Sequence, residues 1–221
     1  MLRLANVDVV SMFIQIKKTP NPNTLKFLPG IDVMGAGRAA IHVSKNTTNS
    51  NDDNDDSSKL RKITVVEALF TIDGVTDVML AQDFVAVTKD SALEWNALKT
   101  LILSAMMDCI IAGKGFVDLS AFSNDSGVQN NSDDVCKSQQ VDAADQEIID
   151  QIIELIDKRV KPAVAEDGGD IEFDRLEDGV VYLKLYGACQ GCPSATVTLK
   201  NGIENMLKHY IPEIKEVREA E

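Results

Sequence analysis

The chain has 221 residues, 44% of them hydrophobic, and a formal charge of −13 at pH 7. The length allows two small domains, and the apolar share is that of an ordinary globular protein. So acidic a balance argues against nucleic acid or an anionic membrane as partner, since both select basic surfaces, and four cysteines are too few for a disulfide-stapled secreted scaffold.

Met1 to Ser11 holds one arginine, an aspartate at position 8 and no long apolar core, which fits neither a signal peptide nor a good transit peptide. The strongly apolar stretches fall short of a membrane span. The sequence therefore reads as an intracellular protein of a reducing compartment. A bacterial cytoplasm is the first expectation and a mitochondrial matrix the alternative.

A first domain is expected over residues 12–118. Met12 to Lys17 reads as a strand and Thr24 to Leu28 as its return. Between them, Thr19-Pro20-Asn21-Pro22-Asn23 is a turn, because two prolines remove donors and two asparagines favour turn geometry. Asn46 to Ser58 has no apolar side chain and reads as a disordered insertion. Ile63 to Ile72 is a short helix with Val66, Leu69 and Phe70 on one side, ended by Asp73-Gly74. Val75 to Leu80 and Phe84 to Thr88 are strands. A longer helix from about Leu93 to Ile111 places Leu98, Leu101, Ile102, Ala105, Met106 and Cys109 at helical spacing. The expected order is β-β-α-β-β-α.

Residues 119–144, rich in Ser, Asn, Asp and Gln, read as a flexible linker. A second domain follows over residues 145–221 and holds most of the negative charge. Ile148, Ile149, Ile152, Ile153, Ile156 and Val160 make an amphipathic helix that Pro162 disturbs or ends. Glu166 to Asp170 is a turn; it lacks the ligand spacing of a calcium loop. Ile171 to Leu176 and Val180 to Tyr186 form a hairpin across Glu177-Asp178-Gly179. A helix starting near Pro193 or Ser194 buries Leu199, Ile203, Met206, Leu207 and Tyr210. Pro212 marks its end, and Ile214 to Arg218 adds a short edge strand. The expected order is α-β-β-α-β, so the fold class is α+β, with two small two-layer domains.

The chemistry concentrates in Gly187-Ala188-Cys189-Gln190-Gly191-Cys192-Pro193-Ser194. The pair Cys189 and Cys192 lies between a strand and a helix start, where unpaired backbone N–H groups favour thiolate and can donate to sulfur. Gly187 and Gly191 let the backbone approach a bulky inorganic group. This suits a soft metal centre near the surface. Two thiolates are half of a tetrahedral sulfur site, and a metal or iron–sulfur cluster usually wants four ligands.

Four readings of the pair compete. It can be two unliganded thiols on a turn. It can be half of an intramolecular zinc site, but no second pair stands at zinc-ribbon distance and His42 and His209 are the only histidines. It can be a thioredoxin-like dithiol, although that framework is longer than this domain supplies. Or it can hold a cluster or metal shared between two chains. The remaining candidates are weaker. Cys109 belongs to a helical stripe and Cys136 to the linker. Trp95 is read as packing. No Ser/His/Asp constellation, P-loop or dinucleotide fingerprint is present in the sequence.

Two stretches carry a resemblance. Asp167-Gly168-Gly169-Asp170 followed by Gly187-Ala188-Cys189-Gln190-Gly191-Cys192-Pro193-Ser194-Ala195-Thr196-Val197-Thr198-Leu199-Lys200-Asn201-Gly202-Ile203-Glu204 closely resembles the C-terminal domain of NifU-like (Nfu) iron–sulfur proteins. Thr19-Pro20-Asn21-Pro22-Asn23-Thr24-Leu25-Lys26-Phe27-Leu28-Pro29-Gly30 resembles the N-terminal domain that accompanies it in one branch of the family. The resemblance implies a 4Fe–4S cluster held between two subunits, with Cys189 and Cys192 as the ligands from each chain. It implies a scaffold or carrier rather than an enzyme. The partners would be a second copy, upstream assembly proteins as donors, and apo iron–sulfur proteins as acceptors. The different-class alternative is a dithiol oxidoreductase using the same two cysteines. Ala188 and Gln190-Gly191 are less serine-rich than the family pattern, which implies altered hydrogen bonding to sulfur and altered cluster lability.

Overall fold

A computed structural model describes residues 13–34, 39–45, 64–112, 116, 143–190 and 193–220. The insertion at 46–58, the linker from 119 to 142, Cys136, Gly191 and Cys192 lie outside the described residues. The chain divides into two compact units, Met1–Asp118 and Leu119–Glu221.

The first unit is built on a five-stranded antiparallel sheet in the order β1-β2-β5-β4-β3. Its strands are β1 (Gln15–Lys18), β2 (Thr24–Leu28), β3 (Ile41–Ser44), β4 (Val75–Leu80) and β5 (Val85–Lys89). The register puts Leu25 and Phe27 of β2, Val85 and Val87 of β5, and Val78 and Leu80 of β4 on one face. All six are buried, as the period of two requires of a core-facing row. Helices α1 (Thr64–Phe70) and α2 (Trp95–Ile111) supply the second layer. They bury Val65, Val66 and Leu69 from one and Leu98, Ile102, Met106 and Cys109 from the other. The turn at 19–23 forms as the residues dictate. Asn21 Oδ1 accepts the Asn23 N–H at 2.9 Å, and Thr19 Oγ1 donates to the carbonyl of Thr24 at 2.8 Å. Trp95 Nε1–H donates to the Pro22 carbonyl at 2.8 Å, fastening α2 to this turn.

Two sequence expectations need correction here. β3 is an additional strand, so the observed order is β-β-β-α-β-β-α. Leu101 is 53% exposed and outside the core. Three residues after Leu98, it sits about 60° off that side chain on a helix, enough to clear a narrow stripe.

The second unit starts with α3 (Ala143–Leu155), a π-helical turn (Ile156–Val160) and α4 (Lys161–Glu166), with no break in the chain's helical course. Pro162 explains the π turn. Proline lacks an N–H and clashes with the carbonyl four residues before it. The Lys161 N–H instead reaches five residues back, to the Ile156 carbonyl, and the helix survives its proline as a bulge. β6 (Gly169–Glu177) and β7 (Val180–Gly187) then form an antiparallel hairpin with an irregularity between Phe173 and Arg175. After α5 (Pro193–Tyr210), β8 (Glu216–Glu219) pairs parallel to β7. A parallel neighbour demands a crossover, and α5 is that crossover. Glu204 of α5 fastens β8 by accepting the Val217 N–H at 3.1 Å.

The core of this unit joins Ile152, Ile156, Ile171, Val181, Leu183 and Leu207 with the side chain of Cys189. Ile152 is fully buried, so Ile152→Ala should cost about 2–5 kcal/mol. Denaturant unfolding of the full chain checks this: the transition assigned to the second unit should move and that of the first should not.

Candidate functional site

Cys189 occupies the connection from the carboxyl end of β7 to the amino end of α5. Cys192 directly precedes Pro193, the first residue of α5. The sequence thus places both cysteines on the strand-to-helix connection. The structure describes only the first.

The connection is wound by backbone hydrogen bonds. The Cys189 N–H donates to the Tyr186 carbonyl at 3.3 Å, and the Gln190 N–H donates to the Gly187 carbonyl at 3.2 Å. Gly187 has φ of +60°, a conformation in which a Cβ is costly. The Ala188 N–H reaches across to the Gly168 carbonyl at 3.1 Å. This last bond ties the cysteine loop to the Asp167-Gly168-Gly169-Asp170 run, twenty residues earlier. That run is only partly a turn: Gly169 and Asp170 already belong to β6, with Gly169 opposite Gly187.

Gly169 is where the two motifs touch. A Cβ built on it would stand 2.5 Å from Cys189 Sγ, 3.1 Å from the Cys189 nitrogen and 3.1 Å from the Tyr186 carbonyl oxygen. The sulfur is seated against bare backbone. Cys189 is 8% exposed, so this thiol is tucked into the domain, whereas a surface position was expected. The cause is long-range: the strand that carries Gly169 pairs with β7 and sets a residue without a side chain against the sulfur. Buried thiols react slowly. In the apo-protein, alkylation of Cys189 by a neutral reagent should therefore be at least about tenfold slower than in the unfolded chain, as read by peptide mass spectrometry against time.

The flank of the site is acidic. Asp170 is buried and Glu172 half-buried on β6. Tyr186 donates its hydroxyl to Glu172 Oε2 at 3.2 Å. Burial pushes the Tyr186 phenol well above its ordinary value, and the negative charge of Glu172 adds to it. Lys161 lies in the same field. Burial alone would lower its pKa, but the bond to Asp157 at 2.9 Å and the charges of Asp170 and Glu172 outweigh that and raise it. Both groups hold their protons at neutral pH, one as phenol and one as ammonium.

The other sequence candidates are elsewhere. Cys109 is buried on α2 in the first unit. His42 lies on β3, and His209 lies near the end of α5, edge-on to Tyr210. Neither Cys109 nor Cys189 is in a disulfide. Among the described residues the unit's order is helix, hairpin, helix, strand, with no βαβ unit ahead of the cysteine pair such as a thioredoxin-like framework needs. Sequence reasoning missed Gly169 as a site residue. The paired glycines were visible, but their partner was not, because strand pairing brings the two together.

The family model for the NifU-like domain matches residues 152–218, and that for the scaffold protein Nfu/NifU N terminal matches residues 14–113. A Drosophila erecta protein named NFU1 iron-sulfur cluster scaffold homolog, mitochondrial, is 40% identical over 219 residues, which are 99% of this chain and 69% of that protein. The Drosophila sechellia protein of the same name is 40% identical over 210 residues, 95% of this chain and 65% of that one. This chain thus spans about two thirds of the length of these relatives. The solution structure of a NifU-like protein from Saccharomyces cerevisiae aligns with 48% of this chain and 84% of its own, at 24% identity and a TM-score of 0.40.

Proposed function

Since the chain belongs to the Nfu family of NifU-like proteins, with its N-terminal and C-terminal domains in that order, we propose that it is an iron–sulfur cluster scaffold. In this reading the cluster is cargo, a 4Fe–4S cubane held between two copies. Each copy offers the thiolates of Cys189 and Cys192, and the second domain, from about residue 145, forms the holding unit. The first domain would meet partner proteins.

The observation that carries the proposal is the seat of Cys189. A thiol lies against bare backbone at Gly169, in the loop that leads into a helix N-terminus. Backbone N–H groups there favour thiolate, and the absence of a side chain on Gly169 keeps the seat free for sulfur. Two such thiolates cannot complete a cubane, which takes four; a second chain supplies the remainder. Binding energy then appears as association energy.

Transfer follows from the divided ligand set. Each acceptor thiol gives up a proton as it bonds to iron, and each departing cysteine sulfur takes one up. The acidic balance of residues 144–221, nine basic against seventeen acidic, disfavours tight packing of like surfaces, which leaves the dimer separable. The acceptors are apo iron–sulfur proteins and the donors upstream assembly proteins. The relatives are named as mitochondrial, so the mitochondrial matrix replaces the bacterial cytoplasm as the proposed compartment.

Native mass spectrometry after anaerobic reconstitution tests this reading. The apo-protein should be mainly monomeric, and the loaded species should be two chains carrying four iron and four sulfide. A single chain holding a full four-iron cluster would rule out the shared site.

A further inference from the structure

The π-helical turn produced by Pro162 has a second effect, away from the cysteine loop. It presents Lys158 and Arg159 on the surface, and Arg159 crosses to the far end of α5. There its guanidinium carbon stands 4.9 Å from the ring centroid of Tyr210. Tyr210 is 46% exposed. Beside this stack lies an open groove of about 290 Å³ lined by Gln151, Glu154, Leu155, Lys158, Arg159 and Tyr210. Leu155 and the Tyr210 ring give it an apolar side, and Arg159 gives it a charged one.

Arg159 stands apart from the other cations of its unit. Every other lysine and arginine described there is bonded to a carboxylate, or, for Lys215, to the Asp178 carbonyl. Lys158 in the groove is paired with Glu154. Arg159 has a ring beneath it but no hydrogen bond or ion pair among the described residues. A guanidinium set over an aromatic ring at this distance keeps its fork of N–H donors available to a carboxylate. That is a receptor for a carboxylate, and the apolar side suits a hydrophobic side chain next to it. The domain is otherwise strongly acidic, with nine basic and seventeen acidic residues from 144 onward. An acidic partner would be repelled elsewhere on this unit and accepted here.

We infer that this groove docks an acidic segment of a partner protein, in which a carboxylate side chain follows an apolar one. The inference rests on the reading that the chain hands cargo to other proteins, and it gives that hand-over an anchor outside the cysteine loop. Docking there would hold a partner on the domain without occupying the ligands.

The test uses the full-length apo-protein, labelled with nitrogen-15, and a capped peptide Gly-Leu-Phe-Glu-Asp-Gly. Binding should shift amide resonances around 151–159 and 207–210 and leave the first unit unmoved. The matched peptide with Gln and Asn in place of Glu and Asp should bind about tenfold more weakly. Arg159→Gln should lose affinity for the acidic peptide by a similar factor, and Arg159→Lys should recover only part, because an ammonium lacks the fork and the stack. No binding at millimolar peptide, equal affinity for the two peptides, or an Arg159→Gln chain that binds as well as wild type would each overturn the inference. Iron uptake by the wild-type chain is measured separately. A chain that takes up no iron yet binds the acidic peptide through Arg159 overturns the cluster reading and upholds the groove.

Discussion

Cys189→Ala and Cys192→Ala should each abolish iron uptake on anaerobic reconstitution, while Cys109→Ala and Cys136→Ala retain it. The difference follows from where the thiols stand. Cys189 and Cys192 flank the entry to α5 on one short connection. Loss of either removes two of four ligands from a symmetric pair, since both copies carry the change. Cys109 is 5% exposed on the buried side of α2, in the other unit. Its removal costs packing, on the order of 1 kcal/mol, and nothing of the site. Cys136 belongs to the polar run 119–144, far in sequence from the cysteine loop. Iron and acid-labile sulfide per chain, measured for all four variants, decide the matter. Iron loss in Cys136→Ala equal to that in Cys189→Ala would refute the assignment of ligands.

Much of this arrangement was legible because it is local. The Asp178-Gly179 turn, the amphipathic row of α3 and the Thr19 to Asn23 turn each follow from neighbours within a few residues, whereas the row expected on α5 holds for Ile203 and Leu207 but not for Tyr210, which is 46% exposed. β3 was not legible. Ile41-His42-Val43-Ser44 is four residues long and abuts the polar insertion, so its alternation has no length in which to show. The π turn was legible only as a disturbance at Pro162. Whether a helix stops at a proline or absorbs it depends on what the following turn can bury, and here Val164 is buried. At the site, the cysteine spacing and the glycine pair were each plain in the sequence. Their contact was not, because it is made by the register that sets Gly169 opposite Gly187. The depth of Cys189 was missed for the same reason. A loop between a strand and a helix is usually at the surface, and only the packing of β6 shows that the first sulfur turns inward.

That contact sets the second large effect expected. Gly169→Ala should impair iron uptake severely although it replaces no ligand residue. A methyl group at this position would fall 2.5 Å from Cys189 Sγ, with backbone atoms of Cys189 and Tyr186 at 3.1 Å on its other sides. The sulfur has to move, and the backbone around it gives little, because the Cys189 N–H is bonded to Tyr186 and the Ala188 N–H to Gly168. Overpacking of this kind costs about 1–3 kcal/mol, here concentrated on one ligand. Gly202→Ala is the control. It lies within α5, and a Cβ there meets nothing within 4 Å. Alanine in a helix is favoured over glycine by about 0.5–1 kcal/mol, so this variant should be more stable than wild type and load iron normally. Thermal unfolding and iron content of the two variants, measured side by side, separate the effect of a crowded thiol from that of removing a glycine. Normal iron content in Gly169→Ala would show that the sulfur does not need its seat, and the geometric argument for the site would fail.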